Sequence, residues 1–95
     1  MTGVPVPPGP VAARLERVLR ASLAPSRLAV QDDSHLHAGH AGAREGGHFS
    51  IAITSEAFRG LTRLGRHRLV YDAVGPFTAQ GIHALAIDAR APDET

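Results

Sequence analysis

The hydrophobic residues of this chain change their spacing along its length, and this change constrains the fold more than any other feature. In residues 11–23 the apolar side chains recur every three or four positions, which predicts an amphipathic helix that ends before Pro25. In residues 48–54 they occupy every second position instead, which predicts a strand with one apolar face. A chain that contains both periods is expected to pack helices against a sheet.

Two further strands are predicted from shorter patterns. Residues 28–32 alternate between apolar and small or polar side chains, which is typical of a short strand. Residues 82–89 are apolar on both faces apart from His83 and Asp88, which predicts a strand that is covered on both sides.

The helices between the second and third strands are predicted from their boundary residues. Ser55 is a suitable N-cap for a helical turn at residues 56–59, and Thr62 is a suitable N-cap for the longer helix that follows. Gly75 and Pro76 are expected to end or kink that helix, because proline has no N–H to donate. The predicted order is therefore helix, strand, strand, helix, helix, strand (αββααβ), an α+β domain with helices packed on a small sheet.

These elements fit one domain, since the chain has 95 residues. Residues 1–10 contain four prolines and are predicted to be a flexible leader, followed by the domain at 11–92 and an acidic tail at 93–95. No apolar run approaches the roughly 20 residues of a membrane span, and no secretory signal is visible. We therefore expect a cytoplasmic protein that does not insert into a membrane.

The cysteine and histidine content limits the chemistry that the chain can perform. There is no cysteine, which excludes disulfides, zinc–thiolate sites and thiol nucleophiles. Four of the six histidines fall within residues 35–48. Residues 34–47 also contain four glycines and are expected to form a long loop, which in a compact domain is usually functional or mobile. A metal would have to be bound by histidine, by carboxylates, or by ligands from another molecule.

Each histidine has a structural and a functional interpretation. His83 lies in an apolar strand, where its ring either bonds a backbone carbonyl or is presented as a metal ligand. His35, His37 and His40 are two or three residues apart, a spacing that suits zinc, copper or nickel. The alternative is a solvated loop with adventitious metal affinity. His48 is interpreted as a structural or rim position at the start of a strand.

A cluster of positive side chains on the long helix raises the question of nucleic-acid binding. The cluster contains Arg63, Arg66, His67 and Arg68, on about one and a half turns. The alternative is that the arginines are solvated or form ion pairs, for example Arg68 with Asp72. The net charge of +1 does not by itself indicate a nucleic-acid binder.

Catalysis is the least supported class of function. The chain has no cysteine nucleophile, no G-x-S-x-G elbow and no phosphate-binding glycine loop of the required spacing. Asp33, Ser34 and His35 are adjacent in sequence, and neighbouring loop residues rarely converge in the geometry of a catalytic triad. We expect a protein that is not an enzyme.

Five stretches of sequence, in this order and at this spacing, resemble the BolA family: residues 33–42, 47–49, 55–60, 66–71 and 81–87. The resemblance covers residues 11–92. It implies a mixed three-stranded sheet with helices packed on it, similar to the class II K-homology domain. The chain departs from the family at residues 74–78, where an acidic helical segment is common and this chain has Val-Gly-Pro-Phe-Thr.

The resemblance also implies a partner and a site. BolA-like proteins pair with monothiol glutaredoxins, whose active-site cysteine and bound glutathione supply two thiolates to a shared [2Fe–2S] cluster. His83 matches the ligand position near the C-terminus, and His40 matches the loop position that is His or Cys, with His37 as its nearest competitor. The implied function is a non-catalytic adaptor in iron–sulfur trafficking or iron sensing. The alternative is a DNA-binding transcriptional regulator that uses the basic helix.

Overall fold

The computed structural model describes residues 9–33, 47–76 and 81–94, and the fold below is that of these residues. Two single turns of 3₁₀ helix, at Glu56–Phe58 and Pro92–Glu94, follow the second and third strands. The predicted αββααβ order is confirmed, with the first helical turn after the second strand as 3₁₀ helix. The longer elements, in chain order, are α1 (Pro10–Leu23), β1 (Arg27–Asp32), β2 (Gly47–Thr54), α2 (Arg63–Val74) and β3 (Ile82–Arg90).

The three described strands form one mixed sheet in the order β1-β2-β3. β1 is antiparallel to β2, and β2 is parallel to β3. A parallel pair needs a long crossover connection, which here contains α2. The order of the strands therefore places the middle of the chain, β2, at the centre of the sheet.

The ends of α1 follow from local backbone chemistry. Pro10 lies in the first turn, where its missing N–H leaves no hydrogen bond unmade. The helix ends at Ala24, which has a left-handed φ of 44° and whose N–H donates to the Arg20 carbonyl. Pro25 then prevents the helix from continuing. None of the helices in the described parts of the chain is long and apolar enough to cross a membrane.

The predicted boundaries of α2 are confirmed. The Gly65 N–H donates to the Thr62 hydroxyl oxygen at 3.0 Å, so Thr62 is the N-cap. The helix ends at Gly75, which adopts a φ of 86° that glycine accepts without strain. Val70 and Val74 are the buried residues of the helix, and its opposite side is exposed, including Leu64.

One hydrophobic core joins both helices to one face of the sheet. Alternation in β2 places its three large apolar side chains in this core, as the sequence pattern predicts. The 3₁₀ turn after β2 adds a fully buried phenylalanine. The buried core residues are Ala12, Leu15, Leu19, Phe49, Ile51, Ile53, Phe58, Val70, Val74 and Ile82.

The prediction that the third strand is covered on both sides is wrong for the part of the chain that the structure describes. Leu85 and Ile87 pack against the core, whereas Ala86 and Asp88 on the other face of β3 are exposed. The alanines made both faces look apolar in the sequence, but alanine is small and is often found at the surface as well. The helices cover one face of the sheet, and the other face is open among the described residues.

Candidate functional site

One end of the sheet brings together the candidate residues of three separate sequence segments. The Asp33 N–H donates to the His48 carbonyl at 2.7 Å, and the Gly47 N–H donates to the Gly81 carbonyl at 2.8 Å. Asp33 and Gly47 flank the segment 34–46, so both ends of that segment lie at the start of β2, and the Gly47 end also lies beside the start of β3. We call this part of the sheet the histidine end and define it by Gly47, His48 and His83.

A bulge determines where His83 lies. Gly47 of β2 pairs with Ile82 of β3, but the next pair is His48 with Ala84, so β3 contains one extra residue at this point. Bulges redirect side chains and are frequent next to functional sites. The extra residue allows Ile82 and Leu85 both to join the core, while His83 between them is exposed.

The bulge also brings two histidines together. The ring centroids of His48 and His83 are 5.0 Å apart, and the ring planes are inclined by 49°. His48 is half-buried and His83 is exposed. Within residues 9–33, 47–76 and 81–94, no three His, Cys, Asp or Glu side chains are grouped closely enough to hold a metal ion. The pair therefore offers two imidazoles and leaves other ligand positions to another source.

The loop histidines lie outside the described residues. His35, His37 and His40 belong to the segment 34–46, so the choice between His40 and His37 as the loop ligand stays a prediction. What the structure adds is the position of the two residues that flank this segment, both at the histidine end.

At the opposite end of the sheet, the Arg66 side chain is held by hydrogen bonds within the domain. The Arg66 guanidinium donates to the Leu61 carbonyl at 3.0 Å, to the Ala89 carbonyl at 3.2 Å and to a Glu94 carboxylate oxygen at 2.8 Å. Its second contact with the Glu94 carboxylate completes a bidentate ion pair. Only 13% of the Arg66 side chain is exposed. We call this the arginine end, defined by Ser55, Arg66 and Glu94.

The ion pair changes the titration of its acidic member. The hydrogen bond from Arg66, followed by that from the Ala91 N–H, lowers the pKa of the Glu94 carboxyl to about 2. Residues 92–94 therefore form a 3₁₀ turn that is attached to α2 through this carboxylate. A second pair, between Arg59 and Asp93 at 3.0 Å, joins the same turn to the segment after β2.

The predicted basic cluster is thus divided. Arg63 and Arg68 are exposed, and the ring centroid of His67 lies 6.5 Å from that of Tyr71 in an edge-to-face arrangement. Arg66 does form an ion pair, but its partner is Glu94 and not Asp72, the partner that the helix spacing suggested. Of the four side chains predicted to contact nucleic acid, Arg66 is the one that forms an ion pair with Glu94.

Comparison with known proteins identifies the family. A sequence model of the BolA family, described as BolA-like protein, matches residues 19–94. The chain belongs to the BolA family. The predicted α+β fold is confirmed by solved BolA structures, which share its two helices and mixed three-stranded sheet.

Two structural relatives of the BolA-like chain come from a plant and an animal. The BolA domain of SufE1 from Arabidopsis thaliana superposes with a TM-score of 0.82 and 40% identity, covering 94% of this chain and all of that one (100%). The solution structure of BolA1 from Mus musculus has a TM-score of 0.77 and 37% identity, with coverage of 99% and 75%.

Three curated relatives are longer than the BolA-like chain. Protein BOLA1, chloroplastic, of Arabidopsis thaliana is 38% identical over 88 residues, which is 88% of this chain and 55% of the relative. BolA-like protein 1 of Homo sapiens is 40% identical over 84 residues, with coverage of 88% and 60%. In SufE-like protein 1 of Arabidopsis thaliana the match spans only 24% of the relative. The chain thus spans about half of the first of these proteins and a smaller part of the last.

Sequence reasoning missed the relation between His48 and His83. It treated His48 as a structural or rim residue, because a single sequence does not show which residues of two distant parallel strands are paired. Knowledge of the β2–β3 register, with its bulge, would have been the signal that links the two histidines.

Proposed function

We propose that this BolA-like chain is a non-catalytic adaptor that pairs with a monothiol glutaredoxin. It contributes His83 and a histidine of the segment 34–46, His40 with His37 as the competitor, to a shared [2Fe–2S] cluster. The observation that carries this proposal is that His83 is exposed at the end of the sheet where the two flanking residues of this segment are hydrogen-bonded, Asp33 to His48 and Gly47 to Gly81. The role is iron–sulfur trafficking or iron sensing, in the cytoplasm.

The donor set of the chain fits half of a cluster site. Iron–sulfur clusters prefer thiolates, and two histidines can replace two cysteines on one iron with a rise in reduction potential. The chain has no cysteine, so thiolates have to come from elsewhere. A glutaredoxin cysteine and glutathione would supply two thiolates, and two histidines of this chain would complete the set. When bound, the cluster supplies the transferable or redox-sensitive group.

The way the fold occurs in relatives supports a role beside another protein unit. The BolA domain of SufE1 is a separately solved domain, and the match to SufE-like protein 1 spans only 24% of that protein. The same fold therefore occurs next to further polypeptide in a larger chain. An adaptor function, in which the domain provides part of a site that another unit completes, is consistent with this use.

The proposal is tested by anaerobic reconstitution of the chain with a monothiol glutaredoxin, iron, sulfide and glutathione. Visible absorption and circular dichroism of the isolated heterodimer report the cluster ligands. We expect His83→Ala to alter or abolish the spectrum. The matched control is His67→Ala, which removes a histidine from α2, and its spectrum should equal that of the unmodified complex. A spectrum that does not respond to His83→Ala would refute the ligand assignment.

The loop ligand is assigned in the same system. His40→Ala is expected to change the spectrum and His37→Ala to leave it unchanged. The opposite result would make His37 the ligand. If neither variant changes the spectrum, His37 and His40 are both excluded and the second imidazole comes from another residue.

DNA binding by the basic helix is the second candidate function, supported by the exposure of Arg63 and Arg68. With Arg66 bound to Glu94, few cations remain to contact phosphates, so binding should be weak, and its salt dependence should be shallow because the slope scales with the number of phosphates contacted. Duplex DNA titrations with the double variant Arg63→Gln and Arg68→Gln should show the loss of this binding, and His83→Ala should not affect it. If the double variant binds DNA as the unmodified chain does, the basic helix is not the DNA-binding surface.

A further inference from the structure

The His48–His83 pair has the separation of two imidazoles that share one metal ion. Metal–nitrogen bonds of about 2.0–2.1 Å place each ring centroid roughly 3.2 Å from the ion. Two such centroids are about 4.5 Å apart at a right angle between the bonds and about 5.2 Å apart at a tetrahedral angle. The observed 5.0 Å lies within this interval, and the inclination of 49° shows that the rings are not stacked.

Both histidines are held by strand backbone. His48 is on the central strand β2, where its carbonyl accepts the Asp33 N–H at 2.7 Å, and it pairs with Ala84 of β3. His83 is the residue immediately before Ala84, within the bulge. Ligands on rigid elements keep their separation without the entropy cost of ordering a loop. The folded domain therefore fixes the backbone positions from which the two rings extend.

We propose that His48 and His83 together bind a single divalent transition-metal ion in the absence of any partner protein. His83 is exposed, so solvent and ions reach the site directly. Among the described residues no third His, Asp, Glu or Cys joins the pair, so water completes the coordination.

Ligand chemistry indicates which ions the pair takes. Neutral imidazole nitrogen suits Cu²⁺, Ni²⁺ and Zn²⁺, whereas Mg²⁺ and Ca²⁺ require oxygen ligands. For a fixed set of nitrogen ligands, affinity rises from Ni²⁺ to Cu²⁺ and falls again at Zn²⁺. We expect Cu²⁺ to bind most tightly and Mg²⁺ not to bind.

The site shares one residue with the cluster of the proposed function. If His83 is bound to a divalent ion with His48, it is not available to the cluster, so the two metal-bound states exclude each other. This consequence rests on the proposed function, whereas ion binding by the chain alone does not. A divalent ion would therefore inhibit cluster assembly by occupying His83.

The test uses the full chain alone, without glutaredoxin, iron or sulfide. To exclude any contribution from the loop histidines, the titration uses a loop-silent variant that carries His35→Ala, His37→Ala and His40→Ala. Cu²⁺ is titrated into this variant by calorimetry. Electron paramagnetic resonance then reports the number of coordinating nitrogens through their hyperfine splitting. We expect one equivalent of Cu²⁺ with two imidazole nitrogens.

Three substitutions in the loop-silent variant identify the ligands. His48→Gln and His83→Ala should each weaken Cu²⁺ binding at least ten-fold and remove one nitrogen from the spectrum. The double substitution should remove both nitrogens from the spectrum and abolish specific binding, because no imidazole of the pair remains. His67→Ala, the control on α2, should leave binding unchanged. Far-ultraviolet circular dichroism and thermal unfolding confirm that each variant is folded.

The inference is overturned if the loop-silent variant binds no Cu²⁺, or if folded His48→Gln binds it as before. Neither result affects the glutaredoxin proposal, since that partner is absent from the experiment. Conversely, failure to reconstitute a cluster would leave the Cu²⁺ titration valid. In a final competition, the chain is loaded with one equivalent of Ni²⁺, which thiols do not reduce, and is then mixed with a glutaredoxin that already carries its cluster, without free sulfide or glutathione. If the bound ion does not slow formation of the complex, the proposed inhibition is overturned.

Discussion

The two ends of the sheet use charged and polar side chains in opposite ways. At the arginine end, the guanidinium of Arg66 is bound to two backbone carbonyls and to Glu94, and Ser55 is almost fully buried with 1% of its surface exposed. At the histidine end, the His83 ring is exposed and lies against that of His48, and no third metal-ligating side chain joins them among residues 9–33, 47–76 and 81–94. The arginine end buries its polar side chains in contacts within the domain, whereas the histidine end presents an imidazole to solvent.

This difference separates stability from function. Polar groups with all their partners in the same chain lower the free energy of the folded state, and their removal leaves buried groups unpaired. Exposed polar groups contribute little to folding and are available to ligands. Substitutions at the arginine end should therefore lower the stability of the domain without changing metal binding. Those at the histidine end should weaken metal binding without lowering the stability.

The largest effect is expected from the apolar side chain that lies beneath the arginine end. Phe58 is fully buried, with 0% exposure, in the 3₁₀ turn that follows Ser55. Phe58→Ala should lower the free energy of unfolding by about 3–5 kcal/mol, because it removes apolar contacts and leaves a cavity. Urea unfolding of this variant measures the loss. A loss below that of the exposed control Leu64→Ala would contradict the assigned core.

Ser55→Ala is expected to have the next largest effect. The Ser55 hydroxyl donates to the Leu23 carbonyl at 2.6 Å and accepts the Ala57 N–H at 3.1 Å, so it ties the end of α1 to the turn after β2. Its removal leaves two part-buried backbone groups without this partner and should cost about 1–3 kcal/mol in urea unfolding. Ser26→Ala is the matched control, because Ser26 is exposed and its hydroxyl makes one long contact of 3.4 Å. Equal losses of unfolding free energy for the two variants would show that the burial of Ser55 does not contribute to stability.

The Arg66–Glu94 pair gives the arginine end a pH dependence. The hydrogen bond that Arg66 donates lowers the pKa of the Glu94 carboxyl to about 2 from the ordinary value of 4.5, so the folded state favours the ionised carboxyl. The stabilisation is fully present above pH 4.5 and is lost as the pH falls through the folded value of about 2. The melting temperatures of the unmodified chain and of Glu94→Gln should therefore differ at pH 6 and converge only as the pH falls to about 2. A difference that stays constant across this range would exclude the ion pair as its cause.

The sequence predicted those parts of both ends that depend on neighbouring residues. The alternation of Phe49 and Ile51 predicted the buried face of β2, and Thr62 predicted the start of α2 by its capping hydroxyl. Contacts between distant segments were missed. The bidentate pair joins Arg66 to a residue 28 positions away. The position of His83 beside β2 depends on a bulge whose location no local pattern shows.

The reliance on neighbouring residues also explains why the prediction for β3, that both of its faces are covered, is wrong. A run of apolar residues predicts burial on both faces only if the strand alternates regularly and larger residues occupy both faces. In β3 the bulge shifts the alternation by one residue between Ile82 and Leu85, and the residues on the open face are Ala86 and Asp88. Side-chain size, rather than apolar character, distinguishes the two faces.

The smallest effect on stability is expected where the effect on ligand binding is largest. His83 is exposed in the bulge, where the ladder is already interrupted, so His83→Ala should change the free energy of unfolding by less than about 0.5 kcal/mol. Urea unfolding of the metal-free chain measures this change. Addition of Cu²⁺ should then raise the midpoint of the loop-silent variant and not that of the same variant with His83→Ala, because an ion that binds only the folded state stabilises it. If His83→Ala instead destabilises the metal-free domain as much as Ser55→Ala, the histidine end is a structural element, and the contrast between the two ends does not hold.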